Sequence, residues 1–387
     1  LTKIFFINYI KFNSLSYMMS TEEFAFNENL SQNEARVLHS LVKWPDASDQ
    51  EIHSQILMKK STFSSIKTRL KEQGFYKRYY IPNFPLIGFE LTNIMFGELN
   101  RFTTIEERLR IAQDTLKSYK EDFLVISENN KAFNLSVSQN FTEYAKNSES
   151  FFKLYSENKF LSKDGMYVKT YPFELSRVFS FLDYESLLAK LFGFQSEPYD
   201  DRMVIPTGKV KKIKLTKAER KVLVGLVQHP DETDTLIAEQ VGVSRNTVAN
   251  AKRKFLKKGI CFPRVVPNLE KLGFKLLAFN YRKFNPKISS QDRIDAIEMV
   301  RDKLNPHFYI SKNLDGFIIS AHKDYESYKE AYKELDRFYN RQEYILDEPI
   351  SYTFELPEMT IIKPIDFLPM IMKQLNFNPD LPLIDQG

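Results

Sequence analysis

The sequence predicts an α+β protein made of two copies of one unit, each copy a helical domain followed by a βαββαβ sheet domain. Three observations carry this. The chain matches itself at an offset of 185 residues: Leu30-Ser31, Glu34, Val37-Leu38, Leu41-Val42 and Pro45-Asp46 return as Leu215-Thr216, Glu219, Val222-Leu223, Leu226-Val227 and Pro230-Asp231. Within each copy the apolar residues first recur at helical spacing and then switch to strand alternation. A chain of 387 residues, 43% apolar and 14% aromatic, is long enough to bury a core in two to four domains.

The match runs without a gap through Thr62/Thr247, Lys67/Lys252, Gly74/Gly259, Pro82-Asn83/Pro267-Asn268 and Gly88-Phe89/Gly273-Phe274. It drifts by a few residues beyond that, yet Phe173-Glu174-Leu175 still answers Phe354-Glu355-Leu356. So long a period marks a duplicated domain pair and not a solenoid.

Ser31 and Thr216 each stand three residues before a glutamate, so hydroxyl and carboxylate can satisfy the free N–H groups that open a helix. Val222, Leu223, Leu226 and Val227 form its inward stripe, and Pro230-Asp231 ends it. A second helix opens after Asp49 or Asp234. Gly242-Val243-Ser244 then supplies a tight turn and a cap for a third helix, Arg245–Lys258, with Val248, Ala251 and Phe255 inward; Phe63, Ile66 and Leu70 match them in the first copy. Helix, helix, tight turn, helix is the arrangement whose last helix enters the DNA major groove.

Past Gly74 and Gly259 the β-rich stretches 75–81 and 260–266 end at Pro-Asn, which suits the short hairpin, or wing, of a winged helix-turn-helix. Strands are expected over 91–99, 123–128, 132–138 and 166–174, with helices over 104–119 and 141–158. The second copy gives strands 276–283, 308–312, 316–321 and 350–356, with helices 289–304 and 324–340. This order makes a four-stranded antiparallel sheet with two helices on one face, the ferredoxin-like plan. One further apolar helix is expected in each copy, near Phe181–Phe192 and Phe367–Leu375. The resulting division is a leader over 1–28, expected to be disordered; winged helices over 29–90 and 214–275; sheet domains with their extra helix over 91–195 and 276–387; and a polar linker over 196–213.

These features together resemble the Lrp/AsnC family of prokaryotic transcription regulators, in tandem. The resemblance rests on element order and on Gly242-Val243-Ser244-Arg245-Asn246-Thr247-Val248, Lys258-Gly259-Ile260 and Leu272-Gly273-Phe274. It implies a double-stranded-DNA-binding regulator, and the lone Cys261 with no membrane-spanning run fits a reducing, cytoplasmic setting. Where the family usually carries a Gly-Asp-type effector turn, this chain has Glu128-Asn129-Asn130-Lys131 and Asn313-Leu314-Asp315-Gly316, and no small-molecule effector is assigned.

Charge supports the same partner. The net charge is only +5, but Lys209–Lys287 holds nineteen Lys and Arg against six Asp and Glu, whereas Leu30–Phe102 holds ten against seven. Positive charge gathered on the DNA-reading segments is the footprint of phosphate neutralisation. In the second copy Ser244, Arg245, Asn246, Thr247, Asn250, Lys252, Arg253, Lys254 and Lys257 are candidates for DNA contact. Arginine can bond guanine edges, asparagine adenine, and lysine phosphate. The first copy offers Lys59, Lys60, Ser61, Thr62, Ser64, Ser65, Lys67 and Arg69, with fewer charges and more hydroxyls. Lys77, Arg78 and Arg264 would act from the wings.

Other classes are set aside. The lone Cys261 cannot form an internal bridge, and no apolar run approaches the ~20 residues that span a bilayer, so no membrane partner is expected. There is no Walker loop, no Gly-x-Ser-x-Gly and no Cys/His pair at zinc spacing. Catalytic residues, cofactors and metals are therefore expected to be absent, and the chain is read as not an enzyme. Two alternatives are a winged-helix module for protein or RNA and, through His307, a sirohaem-decarboxylase-like enzyme, since Lrp-like enzymes of that kind share the two-domain plan. The two copies are expected to pack sheet against sheet as an intramolecular pseudo-dimer, with further homo-oligomerisation through the extra helices.

Overall fold

The computed structural model describes residues 30–195, 205 and 210–377. The leader and most of the linker lie outside the described residues. No described helix is long and apolar enough to cross a membrane.

The protein is α+β, with helices and antiparallel sheets. The first half opens with α1 (Gln32–Lys43), α2 (Asp49–Gln55) and α3 (Lys60–Glu72), continues into β1 (Tyr76–Pro82) and makes a single turn, α4 (Phe84–Ile87). The second half opens with α8 (Lys217–Gln228), α9 (Asp234–Val241), α10 (Arg245–Lys257) and β7 (Cys261–Pro267). Both capping boxes form. Ser31 Oγ accepts from the Glu34 amide at 3.4 Å and Thr216 Oγ1 from the Glu219 amide at 3.2 Å, while each carboxylate accepts from the cap's own N–H. A cap of this kind contributes about 1 kcal/mol. Gly225 lets α8 and α9 touch: a Cβ there would come within 2.7 Å of the Val241 side chain.

The hairpins expected over 75–81 and 260–266 do not form. Each segment is one strand, and β1 pairs with β7 across the halves, antiparallel, from Tyr76↔Pro267 to Pro82↔Cys261. Seven residues between a glycine and a Pro-Asn stop cannot supply two strands and a turn, so each satisfies its open edge with its counterpart.

The sheet elements follow the expected order closely. In the first half they are β2 (Leu91–Leu99), α5 (Ile105–Ser118), β3 (Asp122–Glu128), β4 (Lys131–Ser138), α6 (Phe141–Glu157) and β5 (Leu161–Pro172). Then come β6 (Arg177–Phe181) and α7 (Glu185–Phe192). The second half gives β8 (Leu276–Lys283), α11 (Ser290–Leu304), β9 (Phe308–Lys312), β10 (Asp315–His322), α12 (Tyr325–Arg341) and β11 (Ile350–Glu355), closed by β12 (Thr360–Lys363) and α13 (Leu368–Gln374).

Each sheet has five strands, not the expected four, because the halves exchange one. The orders are β5-β2-β4-β3-β12 and β11-β8-β10-β9-β6. Thus β6 of the first half pairs with β9 (Val178↔Ile310), and β12 of the second pairs with β3 (Ile361↔Ile126).

The inner faces of the two sheets meet through aromatic rings, Phe133 to Phe279 at 4.4 Å and Phe96 to Phe317 at 5.1 Å between centroids. Lys312 Nζ donates across to the Thr170 carbonyl at 3.0 Å, and Lys131 Nζ to that of Thr353. This core continues into the helical domains through Phe84, fully buried against Phe123, Phe173, Phe181 and Phe367. Burying such a ring contributes on the order of 2–3 kcal/mol. A second cluster, including Val300, Leu304, Tyr309, Ile318 and Tyr332 with Phe179 of the exchanged β6, lies between sheet and helices in the second half.

Candidate functional site

Helix α10 is placed by its buried stripe, Val248, Ala251 and Phe255, packed on α9 and α8. Gly242 ends α9 in the left-handed region at φ 64°, a conformation that glycine adopts without a Cβ clash. Ser244 then caps α10, its Oγ accepting from the Thr247 amide at 3.1 Å. With that stripe inward, Arg245, Asn246, Asn250, Arg253 and Lys257 are exposed, and Thr247 is half-buried. Arg253 donates to Asn250 Oδ1 at 2.5 Å, which lays a guanidinium beside an amide on the outer face. Arg245, Arg253 and Lys257 form no ion pair among the described residues. Such a face can bond base edges and phosphates at once.

Helix α3 presents the matching face of the first half, where Lys59, Lys60, Ser61, Thr62 and Ser65 are exposed and Ser64 is half-buried. Lys59 stands at the cap position without a side-chain cap bond, and Leu57 makes the preceding turn at φ 48°.

Several residues read as DNA contacts also form ion pairs within the fold. Lys67 Nζ lies 2.6 Å from Asp49 Oδ1, and Lys252 Nζ lies 2.7 Å from Asp234 Oδ1. Arg69 meets Glu34 at 2.8 Å, and Lys254 meets Glu219. Burial opposes ionisation of Glu34 and Glu219, but bonds from the cap and from Arg69 or Lys254 hold both carboxyls below their ordinary range. Each pair ties the third helix to an earlier one at the same place in both halves. The sequence held the signal: these cations and their acidic partners recur together at the 185-residue offset.

The expected wing contacts need correcting too. Arg264 is only 4% exposed, donates Nε to the Phe181 carbonyl at 3.3 Å and lies 3.5 Å from Asp183, so it pins the join between β6 and α7. Arg78 is half-buried and donates to the Pro45 carbonyl at 2.8 Å. Lys77 alone of the three is exposed.

Among the remaining titratable groups, His307 is buried and stacked on Tyr184 at 4.8 Å, its Nδ1 without a hydrogen-bond partner. Burial pulls its imidazole down to about 3, with the nearby His322 adding to the effect, so it is neutral at physiological pH. At the equivalent place in the first half stands Asp122, which burial pushes up to about 7 against a bond from Asn134 and the charge of Lys363. No group of three or more His, Cys, Asp or Glu among the described residues could hold a metal ion.

No family description matches the chain, and no curated protein matches it. Among solved structures it is similar to the siroheme decarboxylase NirDL, over 88% of this chain and 98% of that one, at 9% identity and a TM-score of 0.49. It is also similar to an AsnC family transcriptional regulator from Agrobacterium tumefaciens, over 36% of this chain and 90% of that one, at 19% identity and TM-score 0.31. The corresponding figures for AsnC of E. coli are 37%, 93%, 17% and 0.28. One expectation is corrected by these findings. The chain was read as not an enzyme on the absence of catalytic motifs, and a likeness along nearly its whole length to an enzyme removes that exclusion.

Proposed function

We propose that the chain is a sequence-specific regulator that binds double-stranded DNA in the cytoplasm through two winged-helix-like domains, each joined to a ferredoxin-like domain, in one tandem chain. The observation that carries this reading is the outer face of α10, where Arg245, Asn246, Asn250, Arg253 and Lys257 are exposed and the three cations form no ion pair among the described residues. The weaker face of α3, with Lys59, Lys60, Ser61, Thr62 and Ser65, would read the other half of the site. The β1–β7 ribbon and the exchanged strands support an intramolecular pseudo-dimer, in which one chain does the work of two subunits. Because the two faces differ at nearly every exposed position, the preferred site is two unlike half-sites about one helical turn apart, ~34 Å.

Binding of the full chain to a selected duplex, followed by fluorescence anisotropy across a salt series, tests the reading. Five or six phosphate contacts give a slope of log K against log salt of about −5. A flat response refutes it. Footprinting with mass measurement of the complex checks the tandem arrangement: two chains on a perfect palindrome would refute it.

A further inference from the structure

The two halves differ most between sheet and helices. In the second half Ala278, Ile318 and Tyr332 are buried there and fill the layer. Equivalent positions of the first half carry Asn93, Asn134 and Ser148. Asn93 stands opposite Ser136 as Ala278 stands opposite Ser320, and Asn134 stands opposite Met95 as Ile318 stands opposite Asn280. Ser148 is the eighth residue of α6, as Tyr332 is of α12. Replacing a phenol ring by a hydroxymethyl group, and isoleucine by an amide, leaves a cavity of about 50 Å3 that Asp122 and Tyr119 also line. α12 buries Tyr332, Leu335 and Tyr339 fully, whereas none of the described side chains of α6 is fully buried.

The cavity wall is polar and incompletely satisfied. Asn93 is 4% exposed; its Nδ2 donates to Ser138 Oγ at 2.8 Å, and its Oδ1 has no partner among the described residues. Leaving a buried acceptor unmatched is costly, so such an oxygen calls for a donor. Of the two acids at the wall, Glu121 is taken by Lys373 Nζ, while the Asp122 carboxyl, bonded by Asn134, has acceptor positions to spare. At ~10–15 Å3 for each water-sized position, the space accepts roughly three to five non-hydrogen atoms.

We propose that this cavity binds a small organic ammonium ion, held by the Asn93 amide oxygen and the Asp122 carboxylate. The charged and titratable groups that face Asp122 are Glu121, Lys363 on β12, and the phenols of Tyr119 and Tyr155. Burial holds its carboxyl up at about 7, so a bound cation supplies the charge that lost water no longer screens.

Melting scans and calorimetric titrations of the full chain test this, with ethylammonium and ethanolammonium chlorides as probes. Sodium chloride, sodium glycolate and ethylene glycol serve as controls. A saturable rise in melting temperature with the ammonium salts, absent with the controls, is the expected result. Ser148→Tyr, which copies the second half, abolishes the rise, and Asn93→Ala weakens binding about 10-fold or more. A rise no larger than that from sodium chloride overturns the proposal, and so does an equal rise with glycol. Full retention of the rise in Ser148→Tyr does the same. Should Ser148→Tyr fail to fold, an unchanged affinity in Asn93→Ala decides against it. No DNA enters these measurements, so their failure leaves the proposed regulator function untouched.

Discussion

At the turn before its third helix, the second half uses Gly242 at φ 64° and caps the helix with Ser244, while the first half forces Leu57 to φ 48° and caps with the backbone of Lys59 alone. The contrast repeats farther along the chain. The second half fills the space under its helices with Ile318 and Tyr332, whereas the first lines it with Asn93, Asn134 and Ser148. At one shared position the second half buries a neutral His307 and the first holds a half-buried Asp122 with a raised pKa. One backbone plan therefore supports two chemistries. The second half devotes its side chains to local packing and to an exposed cationic helix face, and the first tolerates strain and a polar interior.

The largest effect expected from this contrast is on DNA affinity. Arg253→Glu should weaken duplex binding by about two orders of magnitude at low salt, since it replaces an attraction by a repulsion on the stronger face. Thr68→Glu, at the matching position of the first half, should cost about 10-fold or less. Equal losses in anisotropy titrations would break the asymmetry.

Next is stability against pH. The folded pKa of Asp122 lies above its ordinary 3.8, at about 7, so the native state holds a proton that the unfolded chain releases. Its contribution to stability is present below pH 4 and is lost as pH rises to 7. Asp122→Asn should therefore stabilise the protein above pH 7 by about 1–2 kcal/mol and give nothing below pH 4. His307 has the opposite sign: its folded pKa, about 3, lies below the ordinary 6.5, so its contribution is full above pH 6.5 and falls as pH drops. Hydrogen exchange at pH 5 and pH 8 should show the two sheets responding in opposite directions after correction for intrinsic rates.

A smaller effect is expected for the ammonium probes. Their affinity should rise about 10-fold from pH 6 to pH 8 as Asp122 ionises, a change that calorimetry resolves. The smallest is at the turn: Leu57→Gly should stabilise by about 1 kcal/mol by relieving a left-handed leucine, and Gly242→Leu should destabilise by at least as much. Melting of the two variants ranks them.

Much of the fold was legible because each half carries its own local signals. The strand expected over 91–99 is β2 to the residue, and the helix expected over 141–158 ends one residue early. What stayed hidden depends on the other half. β1, β6, β7 and β12 take their pairing partners across the molecule, and no alternation within a short segment reveals that. The exposed face of α10 followed from its buried stripe, whereas the ion pairs of Lys67, Arg69, Lys252 and Lys254 went unseen because an exposed cation and an ion-paired one look alike until the acid is located. Arg264 sits among β-formers like any edge residue, and only its contact with β6 buries it. The cavity escaped notice because Asn93, Asn134 and Ser148 are far apart in sequence and conspicuous only beside their counterparts.

The exchanged strands also fix an order of synthesis. As the chain leaves the ribosome, the first sheet is made without its fifth strand, and the edge of β3 stays open through the making of the whole second half. Only when β12 emerges, after the other strands of both sheets, can it close. The second sheet does not wait for its exchanged strand, because β6 is already present when β9 arrives. A nascent chain that pauses between β11 and β12 therefore holds one sheet with all five strands and one in which β3 is still an unpaired edge.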